Sequence, residues 1–285
     1  MSLSLPLRAA WRATRHHARV CTLGLAWAVA CWPLQGSAAP VVAPADLQPR
    51  LQQAARAFTV VEPHLSVKGQ HTQVQYLGWP ANAVFDVLLG PSWQAPGHDV
   101  VFQALDGYVS RIPTERFSQY TAYLVHQRVG QAQFTVDNLA QNQPNVPLGP
   151  YYLVWDNVKS PELLPEGGSF WPYQVNDISV QPSRLQALLP GNLAERYQGV
   201  ATDVQKLCLS CHQINGFGGN KWPGNLAQLA RSLGDDTFLR WVLAPSSLKP
   251  GTQMPPVADQ RPQAEREVLA RQILDYLKAQ PPSTP

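Results

Sequence analysis

The segment Cys208-Leu209-Ser210-Cys211-His212 constrains this chain more than any other, because it places two thiols and an imidazole within five residues. The pattern C-x-x-C-H is the one by which a c-type haem is attached to protein. The chemistry needs this spacing, since the two thiols add to the two vinyl groups of the haem and the adjacent histidine then lies under the iron. The segment therefore predicts that Cys208 and Cys211 bind one haem covalently and that His212 is an axial ligand of its iron.

A zinc site and a thioredoxin-like dithiol pair are the alternative interpretations of this segment. The chain has four cysteines, and Cys21 and Cys31 lie in a predicted leader, so two remain for a mature protein. A zinc site made mainly of cysteines is then excluded, and no second histidine follows His212 at zinc-finger spacing. A dithiol redox motif is expected in a βαβ pattern, whereas this segment follows a predicted helix over 193–207 and precedes a glycine-rich loop. Haem attachment is the favoured interpretation.

The methionines point to the same chemistry. Apart from Met1, the one methionine is Met254, in Lys249-Pro250-Gly251-Thr252-Gln253-Met254-Pro255-Pro256. Together with the C-x-x-C-H segment, this loop gives residues 190–282 a resemblance to a class I monohaem cytochrome c, in which such a loop carries the distal ligand. The resemblance implies that Met254 is the second axial ligand, and a thioether in that position raises the reduction potential. The alternative is an ordinary methionine in a turn.

The same resemblance assigns roles to Pro223 and Trp241. The segment 216–226 is similar to the glycine-rich loop of the family, in which the carbonyl at the position of Pro223 accepts a hydrogen bond from Nδ1 of the haem-ligating histidine. Trp241 lies in a helix predicted over 235–243 and either donates to a haem propionate or fills the core. A last helix, predicted over 263–279, is expected to pack against the first helix of this part and close the haem pocket. The resemblance implies an all-α cytochrome c fold for residues 191–285.

Residues 1–39 have the features of a secretory signal peptide. Four arginines precede an apolar run of thirteen residues, from Val20 to Trp32, which is followed by the small residues 36–39. That run is shorter than the roughly 20 residues a membrane-spanning helix needs, so we expect no transmembrane segment once the leader is removed. Covalent haem attachment takes place on the exported side of the membrane in bacteria, which agrees with a periplasmic location. A lipid anchor at Cys31 is the alternative.

The charge of the mature chain argues against nucleic acid as a partner. The leader contains four of the 22 basic residues and none of the 19 acidic ones, so 18 basic residues remain against 19 acidic ones. The high isoelectric point of the full chain is thus largely a property of its leader. We expect no basic surface for nucleic acid.

Residues 40–190 predict a second domain, of mixed α+β class and rich in strands. Strands are predicted over 73–77, 99–104 and 151–155, and helices over 81–89 and 114–120. The segments Tyr76-Leu77-Gly78-Trp79-Pro80, Val101-Phe102-Gln103-Ala104-Leu105-Asp106-Gly107-Tyr108, Arg111-Ile112-Pro113 and Leu148-Gly149-Pro150-Tyr151-Tyr152-Leu153-Val154 resemble a shortened sulfite-oxidase-like molybdopterin-binding domain. That family holds molybdenum through a cysteine thiolate, and residues 40–190 contain no cysteine. We therefore expect no molybdenum cofactor, and a role in docking.

Other candidate residues in this domain favour structural interpretations. The spacings of His64, His71, His98 and His126 match no metal motif, so each is expected to be a surface or hydrogen-bonded structural histidine. The pair Asp106-Gly107 favours a turn over a catalytic role. The sequence shows no Ser/His/Asp set of the kind used in nucleophilic catalysis. It also shows no glycine-rich loop of the kind that binds phosphate.

Two functions of different classes follow from these motifs. The first is a periplasmic electron-transfer protein with one haem ligated by His212 and Met254, whose N-terminal domain docks to a periplasmic dehydrogenase or oxidase. The alternative is a haem-containing subunit of a periplasmic oxidoreductase, whose N-terminal domain binds molybdopterin or a small-molecule substrate. A redox sensor is a third, weaker idea. The missing molybdenum ligand and the two retained iron ligands favour a carrier over an enzyme.

Overall fold

Most strands of the protein lie in two antiparallel sheets, as seen in a computed structural model that describes residues 38–67, 70–189, 191 and 194–282. The strands are β1 (Ala38–Pro40), β2 (Arg56–Val61), β3 (Gln73–Pro80), β4 (His98–Ala104), β5 (Val109–Pro113), β6 (Ala122–Arg128), β7 (Thr135–Asn138), β8 (Gln143–Pro147), β9 (Tyr152–Trp155), β10 (Val175–Pro182), β11 (Gln213–Ile214) and β12 (Phe217–Gly218). The helices are α1 (Pro44–Leu47), α2 (Ala81–Leu89), α3 (Arg116–Gln119), α4 (Ala194–Leu207), α5 (Leu226–Ser232), α6 (Asp235–Leu243) and α7 (Gln263–Ala279). The predicted signal peptide, with Cys21 and Cys31, lies outside the described residues except for its last two positions.

Two four-stranded antiparallel sheets, in the orders β1-β10-β4-β5 and β2-β3-β6-β9, form the β-rich part, which we define as residues 38–189. Their inner faces share one apolar core that includes the buried rings of Trp79, Trp93 and Trp155. Gly78 allows β3 to lie close to β6, because a Cβ at this position would be 2.3 Å from the carbonyl oxygen of Leu124. This core holds the loops at the sheet ends in fixed positions.

Helices α4 to α7 and the short hairpin β11–β12 form the C-terminal part, which we define as residues 194–282. Helix α7 packs against α4, α5 and α6. The ring of Tyr197 meets that of Tyr276 edge to face at 5.7 Å between centroids, and the Tyr276 hydroxyl donates to the carbonyl of Leu188 at 2.6 Å. Helix α5 begins at Asn225, whose side chain accepts from the amide of Ala227.

The fold class predicted for the C-terminal domain, residues 191–285, is wrong. The described residues from Ala38 onward cluster into a single unit of mixed α/β class, rich in strands, and the C-terminal part contains a β-hairpin as well as helices. An all-α cytochrome c fold for residues 191–285 is therefore not what the chain forms. The backbone between Gln213 and Gly218 pairs with itself because Asn215 and Gly216 both adopt positive φ, of 50° and 82°, and reverse the chain.

Backbone hydrogen bonds and an ion pair join the two parts. The amide of Val109, at the start of β5, donates to the carbonyl of Ser210 at 2.9 Å. The ammonium of Lys206, on α4, lies 2.9 Å from the carboxylate of Glu166. None of the helices among the described residues is long and apolar enough to span a membrane.

Candidate functional site

The C-x-x-C-H segment forms a closed turn, the CxxCH turn (residues 208–212), directly after the last residue of α4. The amide of Cys208 still donates to the helical carbonyl of Val204, at 2.9 Å. The amides of Cys211 and His212 then both donate to the carbonyl of Cys208, at 3.2 and 3.0 Å. The helix end therefore places both cysteines and the histidine on one short, hydrogen-bonded turn.

Two glycines of the following loop pack directly on this turn. The amide of Gly219 donates to the carbonyl of Leu209 at 2.7 Å, and a Cβ at Gly219 would be 2.1 Å from the carbonyl oxygen of Ser210. A Cβ at Gly218, whose φ is 129°, would be 2.2 Å from the carbonyl oxygen of His212. The glycine-rich loop thus approaches the backbone of the CxxCH turn, where only glycine fits.

The ionisable groups of the turn are in their neutral forms near pH 7. Cys208 and Cys211 are half-buried and not in a disulfide, and burial raises the pKa of the Cys208 thiol to about 12 and that of Cys211 to about 11. Burial also lowers the pKa of His212. A neutral imidazole is the form that binds metal, whereas a reactive dithiol motif needs a thiol of low pKa. The turn is therefore unlike a thioredoxin-type redox pair.

The hydrogen bond expected between His212 and Pro223 is not formed. Nδ1 of His212 is buried and has no hydrogen-bond partner among the described residues, and Pro223 is exposed. The amide of the neighbouring Trp222 donates instead to the carbonyl of Cys211, at 3.0 Å. Trp241 is half-buried on α6.

Met254 is half-buried and packs against the same apolar cluster as Cys208. Its amide donates to the Thr252 hydroxyl at 3.2 Å, and the carbonyl of Thr252 accepts from the side chain of Asn142, also at 3.2 Å. A residue of the β-rich part thereby helps to hold the methionine loop. Within the described ranges, no three His, Cys, Asp or Glu side chains converge as a set that could hold a metal ion.

The turn between β4 and β5 reaches from the β-rich part onto the glycine-rich loop that follows the CxxCH turn. The carbonyl of Gly107, whose φ is 84°, accepts from the amide of Asn220 at 3.2 Å. The carboxylate of Asp106 lies 2.6 Å from the ammonium of Lys221. The guanidinium of Arg111, on β5, lies over the ring of Phe217 at 5.0 Å. Asp106-Gly107 is thus a turn, as predicted, but one that contacts the site.

A cleft of about 510 Å³ opens beside this contact. Residues 142–147 form one wall, and Tyr173, Asp106, Lys221 and Gln253 lie around the rest. The cleft is therefore lined by both parts of the chain and reaches the residue that precedes Met254.

A buried carboxylate in the β-rich part was not anticipated from the sequence. Glu62 is fully buried and accepts from the hydroxyl of Tyr76 at 2.7 Å, from that of Tyr152 at 3.0 Å, and from the backbone amide of His64 at 3.0 Å. Nδ1 of His64 is 2.7 Å from the same carboxylate. Burial alone would raise the pKa of Glu62, but the hydrogen bond and charge of His64, with the Tyr76 bond, lower it below its usual value.

His64 is buried and hydrogen-bonded, as predicted. The one sequence signal for this cluster is a Glu-x-His pattern immediately after the apolar strand β2. Its partners come from β3 and β9, so only the folded sheet brings them together.

No protein-family model, no curated protein and no solved structure matches this chain.

Proposed function

We propose that this protein is an exported electron-transfer protein that carries one haem, bound covalently through Cys208 and Cys211, with His212 and Met254 as the axial ligands. The observation that carries the proposal is the CxxCH turn, which presents two unpaired thiols and a neutral imidazole on one hydrogen-bonded turn. The proposed location is the periplasm, and the proposed partner is a periplasmic dehydrogenase or oxidase.

The donor atoms of the chain fit such a group. Thioether formation uses free thiols, and both cysteines are free. Imidazole and thioether are donors that haem iron accepts in electron-transfer proteins. A bound haem supplies an iron that changes between Fe(II) and Fe(III). His212 and Met254 would both hold the iron, which would leave no open position for a substrate, and the β4–β5 turn would pack beside the group through its contacts with residues 220 and 221.

A second candidate is a haem-containing oxidoreductase subunit whose β-rich part binds a small molecule. The cleft of about 510 Å³ between the two parts favours it, since small-molecule sites commonly lie at such junctions. The absence of any cysteine from residues 40–190 argues against molybdenum in that part.

Expression with export in a host that matures c-type haems tests the proposal. We expect one iron and no molybdenum per chain, and a haem that stays with the polypeptide in denaturant. The double variant Cys208→Ala with Cys211→Ala should lose covalent haem, whereas Ser210→Ala, in the same turn, should keep it. Covalent haem in the double variant would contradict the attachment sites, and stoichiometric molybdenum would favour the second candidate.

The variant Met254→Ala tests the second axial ligand. Loss of the thioether should remove the sulfur-to-ferric-iron charge-transfer band and lower the reduction potential, because a soft thioether favours Fe(II). Absorption spectroscopy and a redox titration measure both changes. An unchanged spectrum would place the second ligand elsewhere in the chain.

A further inference from the structure

The ion pair between Asp106 and Lys221 is built into the contact between the two parts of the chain. The Nζ to Oδ2 distance is 2.6 Å, and the side chain of Lys221 is 11 % exposed. The other oxygen of Asp106 accepts from the amide of Tyr108 at 3.0 Å, so the carboxylate is fixed by its own turn. A pair held in this way keeps its charges in one place, unlike a mobile surface ion pair.

Backbone hydrogen bonds hold both residues of this pair close to the CxxCH turn. Residue 222, next to Lys221, is bonded through its amide to the carbonyl of Cys211. The carbonyl of Gly107, next to Asp106, accepts from the amide of Asn220, next to Lys221, at 3.2 Å. Backbone hydrogen bonds therefore hold both charged residues close to the CxxCH turn, where the side chain of Lys221 is largely shielded from water and that of Asp106 is partly exposed.

The cleft connects the ion pair with the methionine loop. Asp106 and Lys221 both line it, and so does Gln253, which precedes Met254. The ion pair is thus close both to the CxxCH turn and, across the cleft, to the residue before Met254. A positive charge in this place disfavours Fe(III) and a negative charge favours it, because the ferric state carries one more positive charge.

We propose that the β-rich part acts on the haem within the same chain: the carboxylate of Asp106 and the ammonium of Lys221, held next to the CxxCH turn, together set the reduction potential. This inference rests on the proposed function. It gives the β-rich part a role distinct from docking to a partner protein.

A series of charge variants on the haem-loaded full chain tests this role. Lys221→Met removes the positive charge and should lower the reduction potential. Asp106→Asn removes the negative charge, keeps the acceptor for the Tyr108 amide, and should raise the potential. The double variant should return toward the unaltered protein. Lys159→Met, which removes an exposed ammonium paired with Asp156 elsewhere in the β-rich part, is the control and should leave the potential unchanged.

Equilibrium redox titration of the haem absorbance measures the potentials, and urea unfolding of the haem-free variants shows whether the fold is kept. Shifts of opposite sign in the two single variants support the proposal, since a merely structural loss would move both potentials in one direction. Shifts of the same sign, or shifts no larger than that of Lys159→Met, would overturn it. If Lys221→Met does not fold, the sign of the Asp106→Asn shift decides. An unaltered protein that carries no haem would instead refute the proposed function.

Discussion

Asp99 offers the sharpest test of the electrostatics of this fold. It lies on β4, its side chain is 1 % exposed, and neither carboxylate oxygen has a hydrogen-bond partner within ordinary distance. The closest cation is Arg111, with Nη1 4.0 Å from Oδ2. Burial raises the pKa of Asp99 to about 6, and the charge of Arg111 offsets only part of that effect. The charged form of Asp99 is therefore disfavoured in the folded protein.

The pKa shift converts into a difference in stability. One pKa unit corresponds to about 1.4 kcal/mol, so a rise from 3.8 to about 6 disfavours the folded state by about 3 kcal/mol once Asp99 is ionised. The sign follows from linkage: the stability that comes from the neutral form is fully present below about pH 4 and is lost as the pH rises through about 6. Asp99→Asn keeps the side chain neutral at every pH. We expect it to increase the free energy of unfolding at pH 7.5 by up to about 3 kcal/mol and to have little effect at pH 4.

Urea unfolding between pH 4 and pH 8 measures this difference, with Asp275→Asn as the control because Asp275 is exposed on α7. We expect the free energy of unfolding of Asp99→Asn to exceed that of the unaltered protein by an amount that grows with rising pH. Asp275→Asn should show no such difference. A destabilised Asp99→Asn at pH 7.5, or a difference of constant size across the range, would refute the reasoning.

Two further substitutions test the packing of the site and of the buried cluster. Gly219→Ala should lower the free energy of unfolding by about 3 kcal/mol, because its Cβ would meet the carbonyl of Ser210 at 2.1 Å. Gly199→Ala, on the open face of α4, should instead raise it by about 0.5 to 1 kcal/mol, and equal effects of the two would contradict the assigned contact. Glu62→Gln should destabilise the fold by about 3 kcal/mol, since it removes the charged acceptor shared by two tyrosines and His64. Thermal unfolding measures this loss, and a neutral outcome would show that the buried charge is not needed.

Local periodicity predicted many of the elements of the fold. The predicted helices over 81–89, 235–243 and 263–279 coincide with α2, α6 and α7, and the predicted strand over 73–77 lies within β3. Such elements bury one face, so their apolar residues recur at a fixed spacing along the sequence. Strands β11 and β12 have two residues each, too few for any periodicity, and they belong to the part that was wrongly predicted to be all-α.

The candidate site was partly predictable for the same reason. The CxxCH segment is contiguous, so its residues could be read directly. The contacts that surround it are not contiguous: Val109 and Ser210 are about a hundred positions apart, and the partners of Glu62 come from three different segments. Contacts of this kind depend on how the sheets pair and how the two parts meet, which a single sequence does not encode in any local pattern.

The hydrogen bond from the Val109 amide to the carbonyl of Ser210 means that hydrogen exchange at this one amide reports on the separation of the two parts of the chain. The amide belongs to a strand of the β-rich part, and its hydrogen-bond acceptor belongs to the C-terminal part. We therefore expect it to exchange with deuterium only when β5 and the CxxCH turn separate. Its exchange rate, compared with that of amides paired inside β4 and β5 alone, measures how often the two parts come apart. Slow exchange in the haem-loaded protein and faster exchange in the haem-free chain would mean that haem attachment and closure of the two parts stabilise each other.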